Sequence, residues 1–66
     1  MLDLKLYVVD GMENEVLVDF SININAIQGY YYSPDDEDVI NLLSYGQIYT
    51  VIKTHQLMAM LNGRLN

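Results

Sequence analysis

The sequence predicts an α+β fold, in which a small antiparallel β-meander is followed by one short C-terminal helix. Two stretches of alternating apolar and polar residues, at 2–9 and 15–20, are separated by a short turn. Two further β-rich runs, at 39–44 and 47–52, flank Tyr45-Gly46, and after Thr54 the composition changes to helix-forming residues. We therefore expect two hairpins joined by a bent strand, and an SH3-like or barrel-like closure is one form that such a sheet can take.

The first hairpin is predicted from a period of two residues, which is typical of strands buried on one side. The predicted inward residues are Leu2, Leu4, Leu6 and Val8 in the first strand and Val16, Val18 and Phe20 in the second. The predicted outward residues are Asp3, Lys5 and Tyr7, then Glu15, Leu17 and Asp19. In the turn between the strands, DGMENE, we expect Gly11 to adopt a positive φ.

The bent strand follows as SININAIQGYYY. Ile22 and Ile24 continue the alternation, which Ala26 and Ile27 then interrupt, so we expect a bend or bulge within residues 25–28. The strand resumes at residues 30–32 and ends at Pro34, because proline cannot donate a hydrogen bond to a neighbouring strand.

The C-terminal helix is predicted to begin after Thr54, whose hydroxyl can cap it, and to end at Asn62-Gly63 after about two turns. Its side toward the sheet would hold Leu57, Met58 and Leu61. Ala59 and Met60 lie off that stripe, and their apolar character suggests that a second side of the helix is covered by another subunit.

Size and composition predict one domain, residues 1–66, that works as an oligomer. The chain is 52% hydrophobic and has no cysteine, so neither disulfides nor thiolate metal sites can stabilise it. A domain of this length buries only about 60% of the surface of its unfolded chain. The apolar excess therefore indicates either a dense core or a surface that a partner covers.

The charge balance excludes some partners. Nine acids and three bases give a net charge of −6, and contact with phosphates needs clustered Lys and Arg. We therefore expect neither direct nucleic-acid binding nor membrane binding, and a protein partner with a basic surface is favoured. No apolar run is long enough for a membrane span and no targeting segment is visible, which predicts a cytoplasmic protein.

Catalytic, metal and cofactor sites are not predicted. His55 is the one histidine, and without spaced partners it is interpreted as a residue of the first helical turn. The run Asp35, Asp36, Glu37 and Asp38 lacks the spacing of a calcium loop and follows Ser33-Pro34, so it is expected to be solvated. We therefore expect no enzyme activity.

The predicted interaction residues lie in GYYYSPDDED and in the helix. They are Tyr30, Tyr31, Tyr32, Asp35, Asp36, Glu37, Asp38, Met58 and Met60. Tyrosine is common at interfaces because its ring is apolar while its hydroxyl stays hydrated. On a strand, Tyr30 and Tyr32 share one side and Tyr31 takes the other. Packing over the sheet explains the tyrosines equally well, and the acids form either a loop that engages a basic partner or only a turn.

Several turn and strand positions resemble the FlbD family of small flagellar-associated proteins. The matching residues are Gly11, Ile24-Asn25, Pro34-Asp35, Gly46, Tyr49, Val51 and Thr54. The segment between Pro34 and Gly46 is longer than in that family and carries the extra acids. The resemblance implies a small β-meander with a terminal helix and an accessory role, and it implies no catalytic residues.

Two functions follow as hypotheses. The first is a small non-catalytic acidic protein that binds another protein in a regulatory or accessory role, as an oligomer. The second is an acidic inhibitor of the kind phages encode, which blocks a nucleic-acid-binding protein by charge mimicry. The second would gain support if the acids project to one side of the fold.

Overall fold

A five-stranded antiparallel sheet and one helix make up the protein in the computed structural model, which describes the backbone of residues 1–65 and the side chains of residues 1–63. The strands are β1 (Leu2–Val9), β2 (Glu15–Ile22), β3 (Gly29–Tyr32), β4 (Val39–Ser44) and β5 (Gln47–Ile52), and a 3₁₀ turn (Ile24–Ala26) separates β2 from β3. The helix, α1, is His55–Leu65. The predicted α+β class is confirmed, as are the bounds of β1, β4 and β5.

The strand order is β2-β1-β5-β4-β3, so the two hairpins join where β1 meets β5 at the pair Leu6↔Val51. β2 and β3 form the two edges and do not pair with each other. The sheet is open, and the expected SH3-like or barrel-like closure is therefore wrong. A barrel would need those two edges to meet.

Most of the core lies between α1 and one side of the sheet, which we call the helix side. Its most deeply buried residues are Leu2, Leu4, Ile22, Ile27, Ile40, Leu42, Val51, Leu57 and Leu61. The cross-strand pairs Leu2↔Ile22, Leu4↔Phe20 and Leu6↔Val18 confirm the alternation predicted for the first hairpin. Val16 and Val18, predicted to face inward, do lie on the helix side, yet both are exposed. Burial is thus concentrated at the Leu2 end of this hairpin, and the end near the turn is exposed.

The turns differ from the prediction in one place. In the first turn, Glu13 and not Gly11 adopts a positive φ, of 63°. The Asp10 carboxylate accepts from the backbone N–H of Met12 and of Asn14, at 2.8 and 3.0 Å, and this pair of bonds fixes the loop. The left-handed residue therefore falls just before β2, where the chain must turn into the strand.

The second hairpin turn agrees with its sequence. Tyr45 and Gly46 have φ values of 49° and 81°, the positive pair that a two-residue type I′ turn requires. The side-chain carbonyl of Gln28 accepts from the Tyr45 N–H at 2.8 Å, which ties this turn to the segment before β3. The predicted bend begins at Asn23, whose side chain caps the 3₁₀ turn, two residues earlier than expected.

The helix begins as predicted and ends later. The Thr54 hydroxyl accepts from the N–H of Leu57 at 3.1 Å, which confirms the N-cap. The predicted end at Asn62-Gly63 is wrong, because α1 continues to Leu65 and Gly63 does not adopt the left-handed conformation. Burial of Leu61 holds the last turns against the sheet. Met60, predicted to lie off the core-facing stripe, is half-buried and packs against the core.

A candidate protein-binding face

The side of the sheet opposite α1, which we call the open side, has no helix over it within the described residues. Its residues follow from the alternation and from the cross-strand pairs Tyr7↔Leu17, Leu43↔Ile48 and Tyr31↔Asn41. In β4 and β5 the side chains of both sides are largely apolar, which is the pattern of strands covered on both faces. Only one face is covered here.

Most, but not all, of the exposed large apolar residues of the strands lie on the open side. Leu17 is 49% exposed, Ile48 56% and Tyr31 45%, and Leu43 beside Ile48 is also exposed. Such side chains, grouped on one face and bordered by polar residues, mark interaction surfaces in soluble proteins.

One polar pair interrupts the apolar residues of this face. The Thr50 hydroxyl donates to the Asn41 side-chain oxygen at 2.6 Å, across the β4–β5 pair. This bond uses the Thr50 hydroxyl donor and one acceptor site of Asn41, and it leaves the two amide N–H groups of Asn41 to hydrogen-bond elsewhere. A partner that covers this pair must therefore offer an acceptor to the Asn41 amide.

An open cleft of about 340 Å³ lies on the open side between the first hairpin and residues 33 to 38. Its lining includes Tyr7, Val9, Glu15, Asp36, Val39 and Thr50. Val39 points to this side yet is buried, because the segment containing Ser33 and Asp36 lies against it. The cleft is thus lined by apolar and polar residues in similar measure, and two of them, Glu15 and Asp36, are acids.

The two carboxylates of the cleft are unpaired with any base among the described side chains. Lys5 on the open side already pairs with Asp19, and Lys53 lies on the helix side. The Asp36 carboxylate accepts from the N–H of Asp38 at 2.9 Å, which holds it in its loop. Glu15 and Asp36 together therefore present a negative charge beside an aromatic ring, an arrangement that suits a Lys or Arg side chain.

The nine acids are distributed asymmetrically over the fold. Asp3, Glu15 and Asp19 lie on the open side of the first hairpin. Asp10 and Glu13 lie in the first turn, and the remaining four occupy residues 35 to 38. On the helix side, the strand positions and α1 carry no acidic residue within residues 1–63. The negative charge is thus carried by the open side and the two loops.

Within GYYYSPDDED the structure confirms the division of the tyrosines that strand alternation predicts. Tyr30 and Tyr32 lie on the helix side, their ring centroids 6.1 Å apart in an edge-to-face arrangement, and the Lys53 ammonium lies 4.9 Å from the Tyr32 ring centre. Tyr31 lies on the open side. Of the four acids, Asp36 lines the cleft, while Asp35, Glu37 and Asp38 are exposed around it.

The other predicted positions lie on or near α1. Met58 is half-buried beside a shallow groove that His55 and Lys53 also line, and Met60 packs on the core. His55 is exposed in the first helical turn. No cluster of His, Asp or Glu that could hold a metal ion exists among the described residues. The structure therefore does not bring the predicted helix positions together with the acids of the cleft.

Comparison with protein-family models, with curated proteins and with solved structures finds no match to this chain. The resemblance to the FlbD family therefore rests on the sequence positions alone and stays a prediction. In the described part of the chain, α1 is too short to cross a membrane.

The sequence reasoning missed the apolar members of the open side. Leu17 and Tyr7 were assigned outward, but their apolar character was not connected with Leu43 and Ile48. The signal was present, because β4 and β5 are apolar at both odd and even positions. What the sequence could not provide was the strand order, which places the first hairpin beside β5.

Proposed function

We propose that this chain is a small non-catalytic protein that acts by binding another protein through the open side of its sheet, in a regulatory or accessory role and as an oligomer. The observation that carries the proposal is that exposed apolar side chains and the carboxylates of Glu15 and Asp36 meet on this one face. Interfaces between proteins combine an apolar centre with a polar rim in the same way.

The chemistry of the face defines the partner. A Lys or Arg side chain can lay its aliphatic stem against Tyr7 and Val39 and place its cation between Glu15 and Asp36. Apolar side chains of the same partner would cover Leu43 and Ile48. The partner is therefore a protein with a surface that is both apolar and basic, and the net charge of −6 would speed its association at low salt.

Two matched double variants test the proposal by affinity capture from the native host. Glu15→Gln with Asp36→Asn removes both charges from the cleft, and the amide at position 36 can still accept from the Asp38 N–H. Glu13→Gln with Asp35→Asn removes the same amount of charge from the neighbouring loops. We expect the wild type and the loop variant to retain the same protein, with a basic surface, and the cleft variant to lose it.

Equal retention of that protein by both double variants would contradict the role of the cleft. If the wild type retains no protein at low salt, the proposed function itself is wrong. Charge that acts only over long range would weaken capture equally in the two variants.

A second candidate is the charge-mimicking inhibitor, and the absence of acids from the described helix side favours it. An acidic surface on one part of the fold can occupy a groove built for phosphates. The distinguishing measurement uses the captured protein. If double-stranded DNA or RNA displaces the chain from it competitively, the partner's groove is a nucleic-acid site. If nucleic acid has no effect on retention, this second candidate is refuted.

A further inference from the structure

β2 is an unprotected sheet edge. It is the first strand in the order β2-β1-β5-β4-β3, so one row of its backbone N–H and C=O groups has no partner strand in the described chain. Its eight residues, EVLVDFSI, contain no proline and no lysine, and they pair one-to-one with β1 without a bulge. Proteins usually block such an edge with one of these features, because a bare edge is a template for another strand.

The opposite edge, β3, is less suited to pairing with another strand, because of its length and of the proline that follows it. It has only four residues, Gly29–Tyr32, and Pro34 follows closely. A short edge that ends at proline cannot extend its pairing. Of the two edges, β2 is therefore the one suited to strand addition.

The side chains along β2 also lack cover. On the helix side Val16 is 37% exposed and Val18 38%, and on the open side Leu17 is exposed as well. A strand added beside β2 would cover side chains on both sides of the sheet. Strand addition here would thus combine backbone hydrogen bonds with apolar burial.

We propose that a second copy of this chain occupies the edge, with β2 of the two copies paired antiparallel about a twofold axis at Val18. With such an axis the helix sides of the two copies face the same way and form one continuous surface. A residue of β2 can then lie opposite only those β2 residues of the other copy whose side chains are on the same side of the sheet. The axis can then pass through Leu17, Val18 or Asp19 near the centre of the strand. Each choice gives a different set of opposite pairs.

Of these three, only the axis at Val18 places no acid directly opposite another acid. An axis at Leu17 places Glu15 opposite Asp19, and one at Asp19 places that carboxylate opposite itself; like charges in these positions are destabilising. With the axis at Val18, Glu15 is opposite Ser21 and Leu17 is opposite Asp19, which Lys5 already neutralises. Val16 is then opposite Phe20, a β-branched and aromatic pair of the kind that stabilises sheets. The strand is therefore self-complementary in one register, which is why the occupant is a second copy.

This inference rests on the oligomeric part of the proposed function and specifies how the copies meet. Pairing uses only the β2 edge of each copy, so the assembly closes at two chains. Most of the open side stays free for the other partner, with Glu15 at the border between the two surfaces.

A single introduced cysteine tests the register, because the chain has no cysteine of its own. Val18→Cys puts the two thiols directly opposite each other, where Cβ atoms are about 4.5–5.5 Å apart, within reach of a disulfide after a small shift. Val16→Cys is the matched control, since its exposure is nearly the same. Its two thiols would be about 13 Å apart along the strands, too far to bond.

Under mild oxidation we expect Val18→Cys to become a covalent dimer and Val16→Cys to remain unlinked. A mixture of Leu17→Cys and Asp19→Cys, one of them tagged, should link mainly between the two variants. Light scattering of the wild type at micromolar concentration should give twice the chain mass of 7.6 kDa.

A strictly monomeric wild type, or linkage at position 16 as ready as at position 18, would overturn the pairing. Failure here is distinct from failure of partner binding. A monomer whose cleft still retains a basic protein refutes the pairing and the oligomeric part of the proposed function but leaves partner binding intact. A linked dimer that retains no protein refutes the partner binding and leaves the pairing intact.

Discussion

The Tyr45-Gly46 turn allows the cost of a left-handed residue to be isolated from other effects. Gly46 has a φ of 81°, and nothing lies within 4 Å of a Cβ built there. Gly11, in the first turn, has the same open surroundings but does not adopt a left-handed φ. Gly46→Ala and Gly11→Ala therefore add the same methyl group to open space and differ only in backbone conformation.

The expected magnitudes follow from two terms. Replacing glycine by alanine reduces the freedom of the unfolded chain in both variants, which stabilises each by about 0.4–1 kcal/mol. At Gly46 the left-handed conformation costs alanine about 1–2 kcal/mol in the folded state. The first term cancels in the comparison, so Gly46→Ala should be less stable than Gly11→Ala by about 1–2 kcal/mol.

Urea unfolding followed by circular dichroism, at one fixed protein concentration, measures this difference in the free energy of unfolding. Thermal unfolding should separate the two midpoints by several degrees, since 1 kcal/mol shifts Tm by about 4–8 °C in a domain of this size. Equal stability of the two variants, or a more stable Gly46→Ala, would refute the type I′ assignment of this turn.

Two further predictions concern the helix cap and a surface ion pair. Thr54→Ala should lower the free energy of unfolding by about 0.5–2 kcal/mol because the Leu57 N–H loses its acceptor, whereas Thr54→Ser keeps the hydroxyl and should retain most of the stability in urea unfolding. Equal losses in both variants would contradict the cap. The Lys5 ammonium donates to Asp19 and attracts its charge, which holds the pKa of that carboxyl below its usual value. Because the folded pKa is the lower one, the pair stabilises the fold above the unfolded pKa, and this contribution is lost as the pH falls through the folded pKa. In an NMR titration Lys5→Met should raise the pKa of Asp19, and an unchanged midpoint would rule out the pair in solution.

The sequence predicted those parts of the fold that local chemistry determines. Alternation identified β1 over its full length. Tyr45-Gly46 located the second hairpin, because a two-residue loop with positive φ values favours glycine. The first turn was misjudged because two side-chain hydrogen bonds to Asp10 placed the left-handed residue at Glu13. These hydrogen bonds join residues across the loop, and they cannot be predicted from the preference of glycine for positive φ values.

The end of the helix and part of the core could not be predicted from local sequence, because both depend on tertiary packing. Asn62-Gly63 is a common stop signal, but burial of Leu61 supports the helix beyond it. Ile27 is among the most buried residues although it lies in the irregular segment between β2 and β3. Its burial depends on where the 3₁₀ turn directs the chain, which the alternation of neighbouring strands does not specify.

For the candidate site, the sequence identified Tyr31 and Asp36 among the interaction residues and separated Tyr31 from Tyr30 and Tyr32, but it did not connect Asp36 with Glu15. The alternation of β3 does assign Tyr31 and its neighbours to opposite sides. Glu15 and Asp36 are far apart in the chain, and they line the same cleft only because the 33 to 38 loop lies on the open side near the first hairpin. Strand order and loop direction are long-range properties, so this pair could not have been predicted.

The placement of the acids also bears on why the apolar excess is tolerated. A net charge of −6 would keep a small protein soluble wherever the acids lay. Instead, Asp3, Glu15 and Asp19 lie on the face that also exposes Leu17 and Ile48. Charge beside exposed apolar surface penalises association with acidic or neutral surfaces and permits association with basic ones. On the proposed function, these carboxylates would therefore select what covers the open side, a property that solubility alone does not require.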